Sequence, residues 1–285
     1  MQPKSIAARR LADNLVKAIS AGSALIGLFF LAWILLEVIA KGAGAINWTF
    51  FTAMPTPPFI EGGGLANAIV GTLLMTGLAT LIAVPVGLLA GVYLSEFGHD
   101  NRLTVMVRFL ANALMGTPSI ILGLFVYTLI VVPTRTFSGY AGAISLAIIM
   151  LPVVARTTED LLRLVPDELR ESSLALGAPR WKTTLGVVFR AAKAGLLTGV
   201  ILAIARVSGE TAPLLFTALN SRLWVDSLAE PTANLTVTIY KYAMSPYEDW
   251  QQKAWGASLL ITAGVLLLTI TARFFLQRGK GSSEK

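Results

Sequence analysis

Cysteine is absent from this chain. That removes disulfides, thiol chemistry and cysteine metal sites together. There is one histidine, His99, so neither a histidine metal cluster nor a histidine-based catalytic triad can form within the chain. Charge is also scarce: 14% of residues are Asp, Glu, Lys or Arg, against about 25% in an ordinary soluble domain. No G-x-x-x-x-G-K-[ST] segment occurs, so the chain has no phosphate loop with which to bind ATP itself. A soluble enzyme is excluded on these grounds.

Apolar residues fill the space: 55% of the chain, with a mean hydropathy of +0.69. A helix crosses a bilayer with about 20 mainly apolar residues. Six stretches qualify in part or in full: Ala18–Ile39, Ala68–Tyr93, Ala111–Val132, Tyr140–Ala155, Ala194–Leu219 and Ala254–Ala272. The fourth is short, but the polar run after it can continue the same helix. Frequent glycines suit closely packed helices, whereas outer-membrane strands would alternate polar and apolar residues. The expectation is an all-α membrane protein with six transmembrane helices. The first stretch, followed by Ala43-Gly44-Ala45, resembles a signal peptide with its cleavage site. Cleavable apolar cores are only about 7–15 residues long, so an uncleaved anchor is expected.

Lysine and arginine set the orientation. With the N-terminus inside, 17 of the 23 basic residues fall in inner segments: before span one, between spans two and three, between spans four and five (Arg156 to Lys193), and in the tail. Lys41, Arg135, Arg222, Lys241 and Lys253 fall outside, and Arg206 lies within a span. Both termini are therefore expected in the cytoplasm. This bias accounts for the formal charge of +7, so no nucleic-acid surface is implied.

The outer connection 41–67, with its "PTPP" and "GGG" runs, cannot be one helix, and Trp48, Phe50 and Phe51 suit an interface. The outer connection 220–253 carries Trp224, Tyr240, Tyr242, Tyr247 and Trp250. These fit either an interfacial belt or a surface for an external partner. Pro118 can break span three near its start, Pro85 can kink span two, and Glu37 can reach the headgroups. His99 suits a solvated loop. In the inner connection 158–190, Pro166 suits a helix start and Gly177 a C-terminal stop, which predicts a short helix over Pro166–Leu176. Pro179 can begin a second. Leucines on the first helix would equally suit packing on its own bundle.

Glu171-Ser172-Ser173 followed by Leu174-Ala175-Leu176-Gly177 resembles the EAA…G coupling loop of ABC importer permeases, although serines replace its alanines and the closing proline is missing. "GGGLANAIVGTLLMT" (Gly62–Thr76), "GTPSIILGLFVY" (Gly116–Tyr127), "LPVVARTTEDLL" (Leu151–Leu162) and "RVSGETAPLLFTA" (Arg206–Ala218) narrow this to the PstA-type permeases of phosphate ABC importers. The resemblance implies a type I importer (MetI-like) bundle over 68–275, preceded by an anchor and external loop (1–67) and followed by a cytoplasmic tail (276–285). It implies a PstC-like partner permease in a heterodimer, two PstB-like ATPase subunits that dock on the coupling loop, and a periplasmic PstS-like phosphate-binding protein. ATP would be used by the ATPase, with no cofactor and no catalysis in this chain.

Candidate site residues follow. Arg206 and Glu210, four apart in an apolar stretch, suit either an ion pair that locks the bundle or a switchable arginine that a passing phosphate takes over. Guanidinium pairs bidentately with phosphate oxygens, which lysine does not. Gly209 and Pro213 permit a local break beside them. Arg156 is a second phosphate candidate or a positive-inside anchor. Glu171, Ser172, Ser173, Ala175 and Gly177 form the expected ATPase-coupling surface. Another oxyanion (molybdate, sulfate or a phosphonate) would suit the same architecture. A secondary transporter should show internal symmetry, and a scaffold or sensor subunit should need neither Arg206 nor the Gly177 turn.

Overall fold

The computed structural model of the chain describes residues 6–60, 62–98 and 101–281, with the side chains of 6–9 and 275–281 excepted. His99 and the residues beyond 281 lie outside them. Every regular element described is helical. In chain order these are α1 (Ile6–Gly42), α2 (Trp48–Thr52), α3 (Ala66–Val92), α4 (Arg102–Gly116), α5 (Ser119–Val126), α6 (Val132–Thr134) and α7 (Gly139–Arg163). They are followed by α8 (Asp167–Ala175), α9 (Arg180–Thr183), α10 (Phe189–Ser208), α11 (Ala212–Thr217), α12 (Leu235–Ala243) and α13 (Glu248–Gly281).

Among the described residues, five helices are long and apolar enough to cross a membrane: Arg10–Ala45, Ala66–Phe97, Gly139–Arg163, Arg180–Ser208 and Glu248–Phe274. A sixth crossing exists only as a broken one, Arg102–Gly116 and Ser119–Thr134, bent by 106°. The span expected over Ala111–Val132 is thus a bent pair that begins at Arg102, broken at the place where Pro118 allows it. Proline disfavours helical backbone in the residue before it, and Thr117 is accordingly extended (φ −81°, ψ 132°). The helix ends at Gly116, and Pro118 starts a new direction.

The span expected over Ala194–Leu219 is shifted toward its N-terminal side and runs from Arg180 to Ser208. α10 ends at Ser208, and Gly209, Glu210 and Thr211 interrupt it before α11, which has proline in its first turn. Tyr140–Ala155 is lengthened as anticipated, because α7 continues unbroken through Arg163.

α7 is the core of the bundle. Its glycines and alanines let neighbours approach closely: α3 runs parallel to it, with Gly87 against Val154 and Gly91 against Thr158. A methyl at Gly91 would come within 2.6 Å of the Ala155 carbonyl oxygen. α10 runs antiparallel on another side, Gly199 facing Thr157 and Gly195 facing Leu161. α13 packs on α10 and α12, and α1 touches the bundle through α13. Phe50 is fully buried in the core with Leu65 and Ala254, so only Trp48 and Phe51 of that loop remain for an interface.

Candidate functional site

The inner half of α7 reads Ala155-Arg156-Thr157-Thr158-Glu159-Asp160-Leu161-Leu162-Arg163. On a helix, positions 156, 159 and 163 share one face. Glu159 is completely buried at its centre, and a buried carboxylate must be paired to be tolerated. Three guanidiniums do this. Arg163 Nη2 lies 2.9 Å from Glu159 Oε1, Arg156 Nη1 donates to Oε2, and Arg108 Nε donates to Oε1 at 2.7 Å. Arg108 comes from α4, and its Nη2 also donates to the Leu94 carbonyl beyond the end of α3. The cluster ties three segments together at the inner end of the bundle. Asp160 Oδ1 stands 4.0 Å from Arg156, so positive charge exceeds negative. Arg108 and Arg156 remain one-quarter exposed and Arg163 half exposed. Their free N–H groups can receive an oxyanion.

A second clamp fixes the loop that follows. Arg170 on α8 donates bidentately to Glu96, at 2.9 and 3.2 Å, and to the carbonyls of Leu162 and Val165. The Glu96 hydrogen bond outweighs burial and holds Arg170 still more firmly in its charged form. A cavity of ≈ 360 Å³ opens between Arg163 and Arg170.

α8 itself ends as expected. Gly177 has φ +80°, its N–H bonds to the Leu174 carbonyl, and the Ala178 N–H bonds to that of Ser173. This is a Schellman closure, which favours glycine at that position. None of the residues of α8 is buried, so the alternative of leucines packed on their own bundle does not hold. Glu171, Ser172 and Ala175 are exposed, and the Ser173 hydroxyl lies 2.9 Å from that of Thr183. The helix begun by Pro179 is not a separate short one; it runs on through α9 into α10.

The pairing of Arg206 with Glu210 is not formed. Arg206 occupies the last turn of α10, exposed, and among the described residues its side chain has no ion-pair or hydrogen-bond partner. Glu210 lies beyond the helix end, where i,i+4 geometry no longer applies, and its carbonyl accepts from Thr236 Oγ1. The contacts of Gly195 and Gly199 set the register between α10 and α7 and place Arg206 level with about Met150. At 1.5 Å per residue, that is about 9 Å further along the bundle than Arg156.

Arg156 was legible in the sequence as a lone candidate. Glu159 and Arg163 could have been found with it from their helical spacing. Arg108 could not, since only the bend at Pro118 and the packing of α4 on α7 bring it there. Among the described residues no group of three or more His, Cys, Asp or Glu side chains could hold a metal ion.

Residues 83–278 match the family model "Binding-protein-dependent transport system inner membrane component". The chain is 48% identical over 277 residues to the phosphate transport system permease protein PstA of Yersinia pestis, covering 97% of this chain and 94% of that protein. Its fold is that of solved ABC importers. One imports the acidic polysaccharide alginate (TM-score 0.67, 15% identity, 94% of this chain and 96% of that one). Another is the inward-facing MetNI methionine transporter (TM-score 0.63, 20% identity, 75% and 95%). A bundle of apolar helices around a guanidinium cluster, matched along nearly its whole length by such relatives, belongs to the PstA family of phosphate transport system permeases, within the binding-protein-dependent inner membrane transport components.

Proposed function

We propose that the chain forms part of the membrane path of an ATP-driven phosphate importer in a bacterial inner membrane, with α8 and both termini cytoplasmic. The observation that carries this reading is the buried Glu159 carboxylate holding three guanidiniums, with Arg206, unpaired among the described residues, about 9 Å beyond Arg156 along the bundle. Charges within a bundle default to pathway roles. Glu159 keeps the guanidiniums ordered, with part of each still open, while the path is empty. A phosphate then binds their free N–H groups bidentately through charge-assisted hydrogen bonds. Arg206 serves as the station nearer the outer end. Glu210, freed from pairing duty by the helix break, shapes that break through its backbone.

The power source is separate. A PstC-like permease completes the path, two PstB-like subunits hydrolyse ATP, and a PstS-like protein delivers phosphate from outside. α8 offers the ATPase exposed Leu169, Leu174 and Leu176 beside the small side chains of Ser172 and Ala175. The Arg170–Glu96 clamp passes its displacement to the inner end of α3.

Uptake of labelled phosphate into vesicles that contain the assembled complex should require both ATP and the binding protein, and excess sulfate or molybdate should compete poorly. Uptake without ATP, or equal competition by molybdate, sinks the reading. A cysteine introduced at Ser172 should react with an impermeant maleimide only from the cytoplasmic side, and one at Ser227 only from the outside. The reverse pattern would invert the topology.

Gly177→Val probes the coupling turn. A β-branched residue at φ +80° carries about 1–3 kcal/mol of backbone strain, while the space around Gly177 is open. The variant should therefore insert normally but associate weakly with the ATPase and lose substrate-stimulated ATP hydrolysis. Unchanged association and hydrolysis would remove the docking role from this turn.

A further inference from the structure

At the opposite end of the bundle from α8, a cavity of ≈ 200 Å³ is bordered by Arg222 and Lys241. The two cations arrive from different elements, Arg222 on the 219–234 connection and Lys241 in the last turn of α12. Among the described residues neither has an ion-pair partner, and no carboxylate lines the cavity. Asp249 exerts a minor acidic influence on Tyr242 at the cavity wall. Burial, and then Arg222, hold the Lys241 ammonium below its ordinary range. Two like charges converging on one cavity cost free energy unless an anion joins them.

The arrangement is built rather than incidental. Asn67, buried at the start of α3, donates to the carbonyls of Ser221 and Leu223 at 3.0 and 3.2 Å and so pins the backbone on both sides of Arg222. The guanidinium lies 5.0 Å from the Trp250 ring centroid, within the range of a cation–π contact. Trp250 is itself stacked on Tyr242 at 4.5 Å. Tyr242 and Trp250 thus form part of this cavity's wall, while Trp224 and Tyr240 stay exposed, as either role read from their composition allows. Asn220 and Thr238 add neutral hydrogen-bonding groups to the lining. Two residues before Thr238, Thr236 donates to the Glu210 carbonyl at the break that follows Arg206. One short helix therefore joins this cavity to the next cation inward.

We propose that this outer cavity is a receiving site for a tetrahedral oxyanion, held between Arg222 and Lys241 before it reaches Arg206. The choice of phosphate as that anion rests on the import reading above. The site's chemistry is shared by free phosphate and a lipid phosphate headgroup, and free phosphate is the occupant proposed.

The test is protection of Lys241 from acylation in the purified full-length chain, mapped by mass spectrometry at constant ionic strength, with Lys41 as the reference amine. Inorganic phosphate should cause a saturable loss of most Lys241 labelling. Chloride should not, and the phosphate effect should vanish in Arg222→Gln. Arg206→Gln should keep it, because that residue lies further along. Equal protection by chloride, no protection at all, or protection that survives Arg222→Gln overturns the proposal. So does full protection in phosphatidylglycerol vesicles without phosphate, which would make the cavity a lipid headgroup site. If protection is found but wild-type complexes take up no phosphate, the receiving site stands and the import reading falls.

Discussion

Glu159→Ala should leave too little folded chain to support transport. The substitution deprives Arg108, Arg156 and Arg163 of the fully buried carboxylate that pairs with all three. Breaking a buried pair by deleting one partner costs about 3–5 kcal/mol, and here one carboxylate serves three partners on two helices. For a chain of this size, each kcal/mol lowers the melting midpoint by about 2–4 °C, so a fall of about 6–20 °C is expected in detergent. Glu159→Gln keeps the shape and one acceptor, and should lie between wild type and Ala. Glu159→Gln combined with Arg108→Gln removes opposite charges together and should recover part of the midpoint. The readout is the midpoint of loss of the monodisperse chromatographic peak on heating. A Glu159→Ala chain with a wild-type midpoint would mean that the carboxylate does not hold the cluster.

Arg206 should behave in the opposite way: its removal should leave the fold alone and abolish the traffic. Had it been paired with Glu210 in the helix, Arg206→Gln would have stranded a carboxylate. The side chain is exposed and unpartnered among the described residues, so Arg206→Gln should change stability by no more than about 0.5 kcal/mol, as surface substitutions do. A hydrogen bond to a charged group contributes about 1.5–3 kcal/mol. If a phosphate in transit depends on that contact, uptake at limiting phosphate should fall about 10- to 100-fold. Arg206→Lys keeps the charge and loses the fork, so uptake should still fall well below wild type. Uptake is normalised to assembled complex. Near-normal uptake by Arg206→Gln refutes the path role.

Much of the fold was legible because a bilayer imposes local rules. Every backbone amide in the apolar layer must bond within its own segment, so long runs of Leu, Ile, Val and Ala must be helices. Even the device that breaks the third span, Pro118, was visible, since proline acts on its immediate neighbour. The angle of 106° was not, because it depends on what the two halves pack against. Gly177 was read correctly for the same local reason: a left-handed helix stop is set within a few residues.

The sequence by itself thus determined the membrane class, the helical segments, their charge asymmetry and the helix stop at Gly177. All of these follow from hydration and backbone sterics over short stretches. The tertiary structure decided which charges meet. Arg206 and Glu210 are four residues apart and do not pair, because α10 ends between them. Arg108 and Glu159 are 51 residues apart and do, because the glycine contacts of α3 on α7 and the turn of α4 carry one guanidinium to a carboxylate that burial would otherwise forbid. Pairing is a property of three-dimensional distance and of the free energy of leaving a charge dry, and sequence separation measures neither.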